Sequence, residues 1–241
     1  IYVNIKDLDQ YIRFTMLTGV SRFSKMTIFS GLNNLQDISL NREYAAICGI
    51  TDREITDNFR QGIGRLAQEY DTDFDGAVAL LKANYDGYHF AKTSPDIYNP
   101  FSLLWALNDA EIGAYWFQSG TPEFLIRQIQ KSGSFLPDMF DETVEVRTLS
   151  SNDISNTKPT ALLYQTGYLT IKGYEDPDLF HLGIPNLEVR KGLFQNLSDC
   201  YVDKDGDRVA RNVRDVRKLL ETKRIDEAME RLRTFMGGIP Y

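Results

Sequence analysis

Cysteine is scarce in this 241-residue chain: Cys48 and Cys200 stand far apart, with no second cysteine or paired histidine near either. That spacing supports neither a disulfide framework nor a zinc site, so the thiols read as buried or idle in a reducing compartment. Long apolar runs are also missing. The longest, such as Ala77–Leu81, fall far short of the roughly 20 residues that span a bilayer. No charged, apolar and small-residue series opens the chain, which reads as cytoplasmic with no membrane partner. Basic residues are outnumbered, 27 against 34 acidic, and the net charge of −7 repels nucleic acid wherever no local basic face overrides it. There is no internal repeat and no low-complexity tract. The first residue is Ile1 rather than methionine, and the expectation is a fragment or a processed product.

What is present is an ordinary globular balance, 42% hydrophobic and 25% charged, enough to bury a sizeable core. Asn4–Tyr11 reads as a short helix. Phe14–Val20 reads as a buried strand, being short, mainly apolar and closed by Gly19, and the polar SRFSK after it lies where open α/β sheets bind ligands. Residues 28–41 read as a loop. Thr51 and Glu54 form a capping box for one helix over Asp52–Tyr70, with Ile55, Phe59, Ile63 and Leu66 as its apolar stripe. Asp75 is expected to cap a helix through Leu80 and Leu81, and Asn99–Pro100 to open a third, ending near Asn108.

Thr121 before Pro122 starts a helix carrying Phe124, Leu125 and Ile129. Thr157, Pro159 and Ala161–Leu163 mark another, stopped by Gly167. Tyr168–Tyr174 and Leu179–Ile184, joined by EDPD, predict a β-hairpin, and Asn186 caps a helix through Cys200. Helices followed by a hairpin describe a winged helix. Beyond Asp203 the pattern predicts two amphipathic helices, and the closing GGIPY reads as a linker.

Several strings together resemble one family: TGVSRFSK at 18–25, SGLNNLQDISL at 30–40, CGIT at 48–51, YDGYHF at 85–90, YNPFSLL at 98–104, SGTPEFL at 119–125, LLYQTGYLTI at 162–171 and LGIPNLEVR at 182–190. The family is the bacterial AAA-ATPase-like proteins, P-loop ATPases usually followed by a nuclease-like domain of the PD-(D/E)XK superfamily. The resemblance implies a mainly α fold with some β. It divides the chain into the end of a P-loop α/β core at 1–40, a helical lid at 41–118, a winged helix at 119–202 and a C-terminal helical pair with linker at 203–241. It implies ATP and magnesium as cofactors of the intact protein. The implied partners are an N-terminal ATPase segment and a C-terminal nuclease-like domain, and a homo-oligomer is compatible with it. The G-x-x-x-x-G-K-[ST] phosphate loop and an acidic magnesium strand end do not occur in this sequence. The chain alone is therefore expected to bind no cofactor and hydrolyse nothing, with no catalytic and no metal residue assigned.

Within that frame Thr18, Ser21, Arg22 and Lys25 follow the first strand, where P-loop ATPases place a polar sensor near the γ-phosphate. By resemblance Arg22 is the sensor candidate, since an arginine there stabilises developing charge; the plainer reading pairs it with a surface carboxylate. Asp86, Tyr88 and His89 bring a carboxylate, a phenol and an imidazole together, with contact to nucleotide or a neighbouring subunit as one reading. The other is structural: Asp86 and Gly87 make a turn and the aromatics pack between lid and sheet. Arg208, Arg211, Arg214, Arg217 and Lys218 form a ridge at helical spacing that is either a phosphate contact or a solvated face.

Three functions follow as expectations: a nucleotide-sensing and relay portion of an AAA-type ATPase, a winged-helix DNA-binding protein, or a degenerate interaction scaffold. The acidic balance disfavours the second, because Lys and Arg supply the non-specific part of DNA affinity.

Overall fold

The structure is a computed structural model that describes residues 8–19, 36–118, 129, 142–149, 159–176, 178–201 and 206–236. The chain is mixed α and β, mainly helical with one small three-stranded sheet. It divides into two compact units, Ile1–Lys191 and Gly192–Tyr241.

In the first unit, α1 (Asp52–Asn58) and α2 (Arg60–Glu69) replace the single helix expected over Asp52–Tyr70. Phe59 breaks it with φ −116° and ψ 21° while its N–H still bonds the Ile55 carbonyl. Because the break spans one residue, the i, i+4 stripe survives, and Ile55, Ile63 and Leu66 are fully buried. The Thr51–Glu54 capping box is formed. Helix α3 (Phe74–Tyr85) is capped by Asp73, whose carboxylate accepts from Gly76 N at 2.7 Å. Asp75 instead lies in its first turn, where a carboxylate meets the positive end of the helix dipole. Asn99 and Pro100 open α4 (Pro100–Asp109) as expected, with Asn99 Oδ1 accepting from Phe101 N at 3.0 Å. These helices enclose one core with Leu81, Tyr85, Tyr98 and Leu103. A short α5 (Tyr115–Gln118) follows.

The sheet joins β1 (Thr143–Glu145), β2 (Thr170–Asp176) and β3 (Leu179–Gly183) in the order β1-β3-β2, all antiparallel. Between β1 and β2 lie α6 (Val146–Leu149) and α7 (Pro159–Gln165). Gly167, at φ 82°, ends that helical run, and the N–H groups of Tyr168 and Leu169 both return to the Leu163 carbonyl. The first hairpin strand consequently begins at Thr170 rather than Tyr168. Asn186 Oδ1 accepts from Val189 N at 3.0 Å and opens α8 (Leu187–Tyr201).

The N-terminal reading needs correction. Residues 14–19 have no regular structure, and Phe14 is 81% exposed. An apolar run becomes a strand only where a neighbour takes its backbone bonds, and no described residue pairs with it. A 3-10 turn at Asp9–Tyr11 stands where the short helix was expected. The Thr121 helix start lies outside the described residues.

In the second unit the two expected helices are α9 (Gly206–Glu221) and α10 (Ile225–Met236), turned at Lys223 with φ 58°. An Arg231–Asp215 ion pair ties one to the other. Arg217 of the basic ridge pairs with Glu221 at 2.7 Å. Among the described residues no helix is long and apolar enough to cross a membrane.

Candidate functional site

YDGYHF occupies the C-terminus of α3 and the turn beyond it, and every residue from Tyr85 to His89 is tied to a distant segment. Tyr85 donates its hydroxyl to Gly113 O at 3.0 Å and accepts from Gly113 N at 2.9 Å. Asp86 is 3% exposed, its Oδ2 lying 3.4 Å from Lys82 Nζ, one helical turn earlier. Lys82 also pairs with Asp52, which accepts the Tyr98 hydroxyl at 2.7 Å. Gly87 turns the chain at φ 95° and passes against the Pro185 carbonyl so closely that a Cβ would clash there. Tyr88 is buried and pairs in an isolated bridge with Ile97. His89 N donates to Thr170 Oγ1 at 2.8 Å, the threonine hydroxyl donates back to His89 O at 3.1 Å, and the imidazole Nδ1 meets Asp96 Oδ1 at 2.8 Å.

From the other side, Asn186 donates its amide to Asp86 O at 3.0 Å, and Lys172 Nζ donates to Gly87 O at 3.2 Å and Pro185 O at 3.1 Å. Glu188, 2% exposed in the first turn of α8, accepts at Oε1 from Ser102 Oγ at 3.0 Å and Trp116 N at 2.9 Å. The result is a buried polar seam between the helices of residues 51–116 and the strand-and-turn segment of residues 170–189.

Two oxygens of this seam, Asp86 Oδ1 and Glu188 Oε2, are buried with no hydrogen-bond partner. Burial pushes the Asp86 carboxyl above its ordinary 3.8, against the opposing pull of Gly87 N–H and Lys82. Burial likewise pushes Glu188 above 4.5, opposed by the Trp116 and Tyr115 N–H groups and the Ser102 hydroxyl. Desolvation pulls Lys172 below 10.5, with Asp96 and Asp86 working the other way. Burial raises the phenols of Tyr85 and Tyr88, and the Glu188 charge adds to it. Burial thus favours the protonated form of the Asp86 and Glu188 carboxyls and of the Tyr85 and Tyr88 phenols, and works the other way on Lys172, whose ammonium it disfavours.

The structure thus gathers Asp86, Tyr88 and His89 in one place, with the first two buried. Thr18 is exposed and apart from regular structure; Ser21, Arg22 and Lys25 lie outside the described residues. Cys48 is an exposed free thiol rather than a buried one. No grouping of three His, Cys, Asp or Glu suited to a metal occurs among the described residues. Sequence reasoning passed over Lys82, Lys172, Ser102 and Glu188. A signal for two of them, Ser102 and Glu188, existed: CGIT, YDGYHF, YNPFSLL, LLYQTGYLTI and LGIPNLEVR, separate in sequence, supply Ile50, Asp86, Ser102, Thr170 and Glu188 to this one region.

No protein-family model and no solved structure matches the chain. It is similar to an uncharacterised protein of the vnfD 5′ region of Azotobacter chroococcum mcd 1, at 36% identity over 200 residues. The match takes in 82% of this chain, which spans 36% of the length of that relative.

Proposed function

We propose that the chain is the nucleotide-sensing and relay portion of an AAA-type ATPase, passing nucleotide state from a P-loop core through a helical lid at 41–118 to a winged helix at 119–202. The observation that carries this reading is the buried seam. A relay must move as one body, and the seam ties the helical segment to the hairpin segment with buried or part-buried bonds that are costly to leave unmade: the Asn186–Asp86, Thr170–His89 and Ser102–Glu188 contacts. A strand, two helices and a hairpin, with β1 laid on β3, support the winged-helix part. The family resemblance supports the ATPase part.

The chain's own sequence has no glycine-lysine phosphate cradle, so ATP does not fit these residues by themselves and no hydrolytic step is assigned to them. Arg22 is the proposed sensor. In a longer protein that carries a phosphate loop, Arg22→Ala is expected to leave ATP affinity within several-fold. Single-turnover hydrolysis is expected to fall roughly 10- to 1,000-fold, less than the ~10³–10⁵ of an arginine meeting transition-state charge directly. Arg22→Lys should recover only part, because an ammonium lacks the planar fork. Unchanged turnover in the alanine variant would reduce Arg22 to a surface ion pair and favour the scaffold. A sequence-selective DNA complex at nanomolar protein would favour the DNA-binding alternative.

A further inference from the structure

Helix α4 buries Ser102, Leu103, Ala106 and Leu107, yet its outer face is also apolar: Phe101 is 49% exposed, and Leu104 and Trp105 are each 46% exposed. A helix that is apolar on both faces needs an explanation for the outer one. Beside it, Phe101, Trp105, Tyr115, Gly113, Asp109 and Glu111 line a groove of about 340 Å³, within the size range of small-ligand sites. The Trp105 and Phe101 rings meet edge to face at 6.4 Å and 65°, and Trp105 lies near-parallel to Tyr115 at 6.4 Å and 17°.

Three features give the groove a negative character. Asp109 and Glu111 stand at its rim, and neither is in an ion pair with a described residue. Asp109 only accepts from its neighbour Asn108, at 2.8 Å. The carboxyl end of α4 closes at Ala110 (φ 54°), placing the negative pole of the helix dipole there. The aromatic faces contribute their own negative quadrupole. Arg65 donates to Leu107 O at 3.0 Å in the last turn and offsets part of the helix's negative pole, but it forms no ion pair with either carboxylate.

We propose that this groove binds an organic ammonium group, its alkyl carbons against Phe101 and Trp105 and its charge facing Asp109 and Glu111. Such a group suits both halves of the lining: its charge gains from the exposed carboxylates of Asp109 and Glu111, which a neutral ligand would not, and a strongly hydrated inorganic cation would gain little from the rings. The ammonium has two sources, a free small molecule or a lysine side chain of a partner protein, and probes separate them.

Calorimetric titration of the 241-residue chain with choline and with its neutral isostere 3,3-dimethylbutan-1-ol tests the first source. Nα-acetyl-lysine methylamide beside the norleucine analogue tests the second. At least one cation is expected to bind about 2- to 30-fold more tightly than its neutral counterpart, the range of a cation–π contact. Trp105→Ala should abolish that preference, Trp105→Phe should keep part of it, and Asp109→Asn with Glu111→Gln should shrink it. Trp105 packs on Phe101 and Tyr115, so Trp105→Ala is also expected to lower the melting temperature, and the Trp105→Phe and carboxamide variants, which keep that packing, separate the loss of preference from the loss of stability. Equal binding of cation and isostere, or a preference that survives both Trp105→Ala and the double carboxamide variant, overturns the proposal. So does the absence of any heat with all four probes.

Discussion

At Gly87 the backbone adopts φ 95°, a conformation that L side chains rarely enter, and an added Cβ would meet the Pro185 carbonyl. Neither fault is relieved by moving a flexible side chain, because the obstacle is backbone. Gly87→Ala is accordingly expected to cost about 2 kcal/mol or more, combining backbone strain with displacement of the 185–186 turn. Urea unfolding of the variant checks this; a loss within ~0.5 kcal/mol, the range of an ordinary surface change, would contradict it. Glu188 teaches a related lesson. Its Oε1 serves Ser102 and Trp116 N at once, so Glu188→Ala strands donors inside the protein. The expected cost is about 2–4 kcal/mol, larger than that of Glu188→Gln, which keeps the acceptor. The turn at Asp86–Gly87 was legible because Asp-Gly is a local signal. The partner of Glu188 was not, because Ser102 lies 86 positions away and nothing in local periodicity encodes a side-chain bond across that interval.

Among the elements, α1 starts on a reciprocal cap. Thr51 N donates to Glu54 Oε2 at 2.9 Å, Thr51 Oγ1 donates to the same oxygen at 2.8 Å, and Glu54 N donates to Thr51 Oγ1 at 3.3 Å. Thr51→Ala is expected to destabilise by about 1 kcal/mol and Thr51→Ser by much less, measured as shifts in the urea midpoint at constant slope. Equal losses for both would show that the methyl contact, not the cap, holds the helix end. Caps and helix stripes were readable from sequence because three- and four-residue spacing fixes them. Two kinds of element were not. Phe14–Leu17 has the composition of a strand, but composition cannot supply a pairing partner. Thr143–Glu145, three residues long, is too short for alternation to register, and it is a strand only because β3 lies beside it.

For the molecule as a whole, the seam sets a dependence on pH. Asp86 and Glu188 have folded pKa values raised by burial above 3.8 and 4.5, so the folded state holds their protons more tightly than the unfolded chain. Their contribution is full below those ordinary values and is lost as pH rises through the raised ones. Asp52 and Glu54 act oppositely: burial of Asp52 is outweighed by Lys82 and Tyr98, and the Thr51 backbone N–H and hydroxyl lower Glu54. Their stabilisation is present above their ordinary values and fades as pH falls below them. Melting temperature is therefore expected to decline as pH rises above 4.5, and Glu188→Gln, which removes one of the two raised carboxyls, should flatten that decline. Parallel profiles for wild type and variant would show that Glu188 stays ionised throughout.

The Asn186–Asp86 bond spans 100 residues, which has a consequence during synthesis. At a ribosomal rate of roughly 5–20 residues per second, Asp86 waits on the order of 5–20 s for its closing partner. The helices before it have local contacts and can form in that time. Asp86 meanwhile remains hydrated at the open end of α3, beside the exposed Lys82, and its desolvation is deferred until the turn at 185–186 arrives. A nascent chain halted short of Pro185 thus presents an assembled helical segment whose charged margin is still wet, ready to be closed by the residues that follow.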